Sequence, residues 1–206
     1  DGKSRNAFNA WSQDGELFAY SSTRRNGTDS DLYVMNPRDP STNKMVAQVQ
    51  GGGWAISDFA PDKKSAIASQ YRSVTNVDMS SLDLASGQMT PIGDHQKDVA
   101  IGGAEFAPDG TLWVTSDEGS DFQRLGTMDV KTGAFTPRGP AEKWDVEAFD
   151  ISSDGSFIVY ATTDGSGAAR LGSALVLAPR TAASTPRPAR TWKWGWAPGW
   201  SLSTRA

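Results

Sequence analysis

The chain contains no cysteine and only one histidine, His95, among its 206 residues. Without thiols it has neither disulfides nor thiolate metal sites. A reducing cytosol and an oxidising periplasm both tolerate such a chain, so the compartment stays open. One histidine also leaves a catalytic zinc site short of ligands, since such sites draw on several His or Cys donors. Gly-x-Ser-x-Gly, the elbow that commonly presents the nucleophilic serine of α/β-hydrolases, does not occur. No run approaches the roughly 18 apolar residues needed to cross a bilayer. Mean hydropathy is -0.47, the value of a soluble chain, and no stretch carries a convincing 3.6-residue apolar period. The first residues, Asp1-Gly-Lys-Ser-Arg-Asn6, show no initiator Met and no apolar signal segment. They read as the interior of something longer, already processed or truncated.

Acidic residues are missing from one end. All 24 lie at or before Asp164, together with 14 of the 20 basic residues, whereas residues 165–206 hold six basic residues and no acid. The body is therefore acidic and the tail basic, and such a shift marks a boundary.

What the body does contain is repetition. Trp11-Ser-Gln-Asp-Gly15, Phe59-Ala-Pro-Asp-Lys63, Phe106-Ala-Pro-Asp-Gly110 and Ile151-Ser-Ser-Asp-Gly155 are near-copies, their aspartates 48, 47 and 45 residues apart. That period is the length of one four-stranded propeller blade. Each copy precedes an apolar run that reads as a strand: Leu17–Ser21, Ala66–Ala68, Leu112–Thr115 and Phe157–Ala161. Asp-Gly between two such runs signals a hairpin, because both residues tolerate positive φ. Lys63 stands where the other copies have Gly, which predicts a longer or different turn there. The runs are nearly continuously apolar, as suits a sheet covered on both faces. A second mark keeps the same phase: Leu82-Asp-Leu-Ala-Ser-Gly87 and Met128-Asp-Val-Lys-Thr-Gly133 each read as a third strand entering a tight turn, with Leu32-Tyr-Val-Met-Asn-Pro37 in the equivalent place. Fourth strands follow at Met45–Val49, Gln88–Ile92 and Ala134–Thr136. The expected fold is all-β, a partial β-propeller of about four four-stranded blades with a 45–48 residue repeat, spanning residues 1–164.

The repeat decays after that. Ala174-Leu-Val-Leu-Ala-Pro179 lacks the Asp and Gly of the third-strand mark, and Trp196-Ala-Pro-Gly-Trp200 stands where a fifth anchor is due but has lost its Asp. Between them runs a low-complexity stretch, residues 180–190, that cannot build a packed core. Residues 165–206 read as a degenerate last blade or disordered basic tail, or as non-native sequence produced by a reading-frame slip in a GC-rich gene.

No catalytic, cofactor-binding or metal-binding residues are assigned, and no cofactor is expected. His95 lies in the polar loop Gly93-Asp-His-Gln-Lys-Asp98 and reads as a solvated histidine. The acid clusters Asp29 with Asp31, Asp117 with Glu118, and Asp145 with Glu147 do not follow calcium-loop spacing and read as solvated loop acids. The anchor aspartates Asp14, Asp62, Asp109 and Asp154 read as turn residues that bond nearby backbone amides. Asn26-Gly27-Thr28 matches a glycosylation sequon but reads as an Asn-Gly turn. Gly51-Gly-Gly53 reads as a flexible strand connection, since no Gly-Lys-Ser/Thr and no helix follow. The basic, Trp-bearing tail has the composition of a single-strand nucleic-acid platform, but the acidic body argues against it. Neither nucleic acid nor membrane is expected as a partner.

Trp11-Ser-Gln-Asp-Gly-Glu-Leu-Phe-Ala-Tyr-Ser-Ser22, followed by Asp31-Leu-Tyr-Val-Met-Asn36, resembles the TolB-type (WD40-like) propeller repeat, which also builds the non-catalytic propeller of prolyl oligopeptidase family serine peptidases. Tyr20-Ser-Ser-Thr-Arg-Arg-Asn-Gly27, Gly51-Gly-Gly-Trp-Ala55, Ser116-Asp-Glu-Gly-Ser-Asp-Phe-Gln-Arg-Leu125 and Trp144-Asp-Val-Glu147 resemble the peptidases more closely. In that family a propeller of typically seven or eight blades caps an α/β-hydrolase domain carrying Ser, Asp and His. The resemblance thus implies a hydrolase for the full-length protein and a fragment here, in which the propeller gates peptide access to a hydrolase domain absent from residues 1–206. The implied partners are that domain and its peptide substrate. The alternative is a TolB-like propeller serving as a protein-interaction scaffold.

Overall fold

A computed structural model describes residues 2–139, 143–163 and 169–175. The readings of residues 176–206, including the Trp196–Trp200 relic and the nucleic-acid comparison, lie outside the described residues.

Every described element is a strand, and the strands form four antiparallel meanders in chain order. The first sheet holds β1 (Asn6–Trp11), β2 (Phe18–Ser22), β3 (Asp31–Asn36) and β4 (Asp39–Ala47). The second holds β5 (Trp54–Phe59), β6 (Ser65–Ser73), β7 (Asn76–Asp83) and β8 (Met89–Ile92). The third holds β9 (Ile101–Phe106), β10 (Leu112–Ser116), β11 (Arg124–Met128) and β12 (Phe135–Pro137). The last comprises β13 (Val146–Ile151), β14 (Phe157–Thr163) and β15 (Ala169–Leu175). First strands pack against first strands, β5 between β1 and β9, and β9 against β13. These are four propeller blades with their first strands innermost. The last blade shows three strands among the described residues.

The anchor turns close the first hairpin of every blade. In all four, the Asp Oδ1 accepts the N–H two residues on: Glu16 at 3.0 Å, Lys64 at 2.9 Å, Thr111 at 2.9 Å and Ser156 at 3.0 Å. The expected turn role of these aspartates therefore holds. The expected difference at Lys63 does not. Lys63 sits at φ 56, beside Gly15 at 69 and Gly155 at 69, and its N–H reaches Ala60 O just as Gly15 N–H reaches Ser12 O. Its ammonium bonds both Asp14 and Glu16 of the preceding blade, contacts that offset the positive backbone φ that L-residues otherwise avoid.

The second mark is also a repeated turn. Asp83 Oδ1 accepts Ser86 N–H at 2.7 Å and Ser86 Oγ–H at 2.8 Å; Asp129 Oδ1 accepts Thr132 N–H at 2.7 Å and Thr132 Oγ1–H at 2.9 Å. The terminal glycine does more than supply positive φ. A Cβ on Gly87 would lie 2.5 Å from Val46 O, and one on Gly133 would lie 2.2 Å from Gly93 Cα. Each of these turns is thus pressed against the outer backbone of the preceding blade, and only glycine fits.

The core lies between blades. Ala19, Leu32, Val34 and Val46 of the first blade pack on Ile56, Phe59, Ala66, Ala68 and Leu82 of the second. Ile67, Met79 and Ile92 then meet Phe106, Leu112 and Val114 of the third, whose Trp113 and Leu125 meet Ile158 and Tyr160 of the fourth. With a period of two, β6 sends Ala66 and Ala68 one way and Ile67 the other. This is why the second strands of the middle blades read as continuously apolar. In the end blades, β2 and β14 each meet a neighbouring blade on one face only among the described residues.

Candidate functional site

A meander places its connections alternately at two ends. Anchor turns and third-strand turns share one end; the β2–β3 type loops and the linkers between blades share the other. The acids singled out in the sequence gather at the linker end; Asp145 and Glu147 are exposed as expected, whereas Asp29, Asp117 and Glu118 are half-buried and Asp31 is buried. Asp29 Oδ1 accepts Gly51 N–H at 2.7 Å, Asp31 Oδ1 accepts Val49 N–H at 3.0 Å, Asp117 Oδ1 accepts Ala100 N–H at 2.9 Å, and Asp145 Oδ1 accepts Gln123 N–H at 2.7 Å. Each carboxylate staples a linker to a loop of an adjoining blade. Asp31 has no exposed surface and pairs with Arg25 Nε at 2.7 Å. The Gly51 N–H bond, helped by Asn26 and Arg25, holds Asp29 below the usual carboxylate range. The linkers need these acceptors because their backbone amides lie outside the sheet ladders. The three acid clusters therefore do not converge on one site.

His95 departs from its expected solvated state. Its ring is half-buried, Nε2 lies 2.7 Å from Met79 O, and Nδ1 lies 3.9 Å from the Asp78 carboxylate, which also holds Arg72. It lines a cavity of about 210 Å³ between the second and third blades, with Asp78, Met79, Lys97, Glu118 and Met128. A general base must reach the serine hydroxyl it deprotonates. The hydrogen-bond partner here is a carbonyl, so the His95–Asp78 pair is not two-thirds of a triad. Gly53 also departs from the flexible connection expected of it: a Cβ there would lie 2.3 Å from Tyr71 O. The Asn26-Gly27 turn is as expected, with Asn26 Oδ1 accepting Thr28 N–H at 3.0 Å and Asp29 N–H at 2.9 Å.

The acids whose carboxyls are pushed upward went unnoticed in the sequence. Asp58, Glu105 and Asp150 each immediately precede an anchor residue (Phe59, Phe106, Ile151), on successive inner strands. Asp58 Oδ2 accepts Phe106 N–H of the next blade at 2.7 Å, while Oδ1 takes its own Phe59 N–H at 2.8 Å. Glu105 takes Ile151 N–H of the blade after that. In the first blade Asn9 Oδ1 does the same work, accepting Ile56 N–H at 3.2 Å. Burial pushes Asp58 up to about 6. Burial, then the charges of Asp150 and Asp58, push Glu105 up to about 8, and burial raises Asp150. The signal was a constant offset of four residues before the anchor Asp.

No group of three or more His, Cys, Asp or Glu side chains among the described residues is arranged to hold a metal ion. No described helix is long and apolar enough to cross a membrane.

No family model matches the chain, and no curated protein matches it. Solved structures do. TolB from Acinetobacter baumannii is similar at 19% identity and a TM-score of 0.64, over 83% of this chain and 41% of that one. Puromycin hydrolase is similar at 17% identity and 0.59, over 82% and 29%. The β-propeller domain of the trilobed protease from Pyrococcus furiosus, described as having an open velcro topology, is similar at 13% identity and 0.56, over 82% and 48%. The chain spans less than half the length of each of these three. Its fold is that of the β-propellers found in TolB and in prolyl-oligopeptidase-type peptidases.

Proposed function

We propose that residues 1–206 are a non-catalytic propeller portion of a prolyl-oligopeptidase-like serine peptidase, gating peptide access to a hydrolase domain that lies outside them. The observation that carries this reading is the engagement of Asp29, Asp31, Asp117, Asp145 and His95 in contacts that hold linkers and blades together. The chain carries no Gly-x-Ser-x-Gly elbow, and a propeller over a hydrolase needs only shape. The peptidase-like text around Trp144-Asp-Val-Glu147 and the likeness to puromycin hydrolase favour a peptidase over the scaffold alternative.

The test is made on the longest product of the unbroken gene, with a serine-directed fluorophosphonate and peptides of increasing length. The expected result is a labelled serine outside residues 1–206. Deleting residues 1–206 should then extend cleavage from short peptides to long polypeptides. A gene product without any labelled serine would favour the interaction scaffold.

A further inference from the structure

We propose that the cavity between the second and third blades binds a small zwitterion with an apolar body, of the class of a free α-amino acid, with Lys97 taking its carboxylate and Glu118 its ammonium. The cavity, about 210 Å³, is walled on one side by the linker that joins β8 to β9. At one end Gly93 and Gly133 meet backbone to backbone, with no side chains to fill the space beside them; a Cβ on Gly133 would lie 2.2 Å from Gly93 Cα. Met79, Ile92, Ile101 and Met128 supply the apolar wall. The linker is pinned in place. Val77 N–H donates to Val99 O at 3.0 Å, Ala100 N–H donates to Asp117 Oδ1 at 2.9 Å, and His95 Nε2 lies 2.7 Å from Met79 O. The site is therefore formed before any ligand arrives, as small-molecule sites usually are.

Charge identifies the occupant. Asp78, Asp94, His95, Lys97 and Glu118 all line the cavity. Asp78 is held by Arg72, and His95 Nδ1 lies 3.9 Å from the same carboxylate. Asp94 gives an oxygen to Gln96 N–H at 3.0 Å. That leaves Lys97 and Glu118, whose charged ends pair neither with each other nor with any other described residue. A singly charged ligand would meet one attraction and one repulsion there, and a neutral one would leave both charges without a partner. A zwitterion satisfies both, and its apolar side chain finds Met79 and Met128. Lys97 is exposed and Glu118 half-buried, whereas both methionines are buried, so the charged end faces solvent and the apolar body points inward. Sites for drug-sized ligands run to about 300–1,000 Å³, so this smaller cavity limits its guest to about the size of one amino acid. The inference is independent of the peptidase reading, because the cavity is built wholly from the second and third blades and their linker.

The methionines make a specific test possible, since Met79 and Met128 line the cavity whereas Met35, Met45 and Met89 do not. The 206-residue chain, isotope-labelled at its methionine methyl groups, is titrated by NMR with three probes. These are L-leucine, N-acetyl-L-leucine, which lacks the ammonium, and L-leucinamide, which lacks the carboxylate. L-Leucine should shift the Met79 and Met128 resonances saturably, with a Kd of about 1 mM, and leave the other three in place. Each blocked analogue should bind about tenfold more weakly. Lys97→Gln should erase the preference for leucine over leucinamide, and Glu118→Gln the preference over N-acetyl-leucine. Neither side chain has a partner to lose, so both variants should keep the wild-type circular dichroism; the comparison of the three probes on the wild-type chain stands even if one does not. No saturable shift with leucine up to about 20 mM overturns the inference. So do equal affinities for the three probes, or shifts shared by all the methionines.

Discussion

Replacing Glu105 by Gln should stabilise the protein at neutral pH and remove much of its pH dependence. Glu105 lies on β9 and is half-buried, facing Asp58 from β5 and Asp150 from β13, with Ile151 N–H as its donor. Burial and those two carboxylates raise it to about 8, so folding takes up a proton wherever the unfolded carboxyl is ionised. The stability it contributes is fully present below the unfolded value of about 4.5 and is lost as pH rises through 8. At pH 7 the loss is about 3 kcal/mol, taking 1.36 kcal/mol per unit over the interval from the unfolded value. Glutamine keeps an oxygen for Ile151 N–H and can donate its amide to Asp58 or Asp150, yet carries no charge. Urea unfolding followed by tryptophan fluorescence between pH 5 and 8.5 reads the difference directly. The variant should match wild type near pH 4.5 and exceed it by about 3 kcal/mol at pH 7. Asp14, Asp29, Asp83, Asp129 and Asp154 are all shifted downward, so their own losses fall below about pH 4, outside this window. Parallel wild-type and variant curves from pH 5 to 8 would refute the reasoning.

Four further substitutions test turn conformation, blade packing and buried hydrogen bonding. Gly110→Ala should cost about 1 kcal/mol for left-handed backbone alone, since a Cβ there meets nothing within 4 Å. Gly133→Ala should cost about 3 kcal/mol or more, because its Cβ would also strike Gly93; equal losses in urea midpoints would remove the blade contact assigned to Gly133. Asp31→Ala leaves buried Val49 N–H without its acceptor and should lower stability by about 2–3 kcal/mol. Lys63→Gly should raise the melting temperature in a Glu16→Gln background, where one of its two ion pairs is already gone. A lower melting temperature in that background would show that Lys63 is not strained.

The sequence made the blades legible because the same chemistry recurs at the same phase. Asp14, Asp62, Asp109 and Asp154 each need only a local turn, and local turns depend on neighbouring residues. What stayed hidden was set by contacts between blades. Lys63 looks like a broken turn until Asp14 and Glu16, 49 and 47 residues away, are beside it. Gly87 and Gly133 look like ordinary turn glycines because the backbones they press on lie in the previous repeat. Asp31 looks like a loop acid because neither Arg25 nor Val49 announces that it will bury it. Asp58, Glu105 and Asp150 could have been found by the offset alone, but an acid next to an apolar anchor gives no hint that its acceptor serves the following strand.

The central claim is that these acids and His95 hold a scaffold and that hydrolysis belongs elsewhere. It is tested most directly by incubating the 206-residue chain with a fluorophosphonate probe, mapping labelled peptides by mass spectrometry, and assaying short peptide substrates beside a His95→Ala variant. The account predicts no substrate-protected label and no turnover above buffer in either protein. A serine labelled in competition with substrate, with turnover lost in His95→Ala, would contradict it.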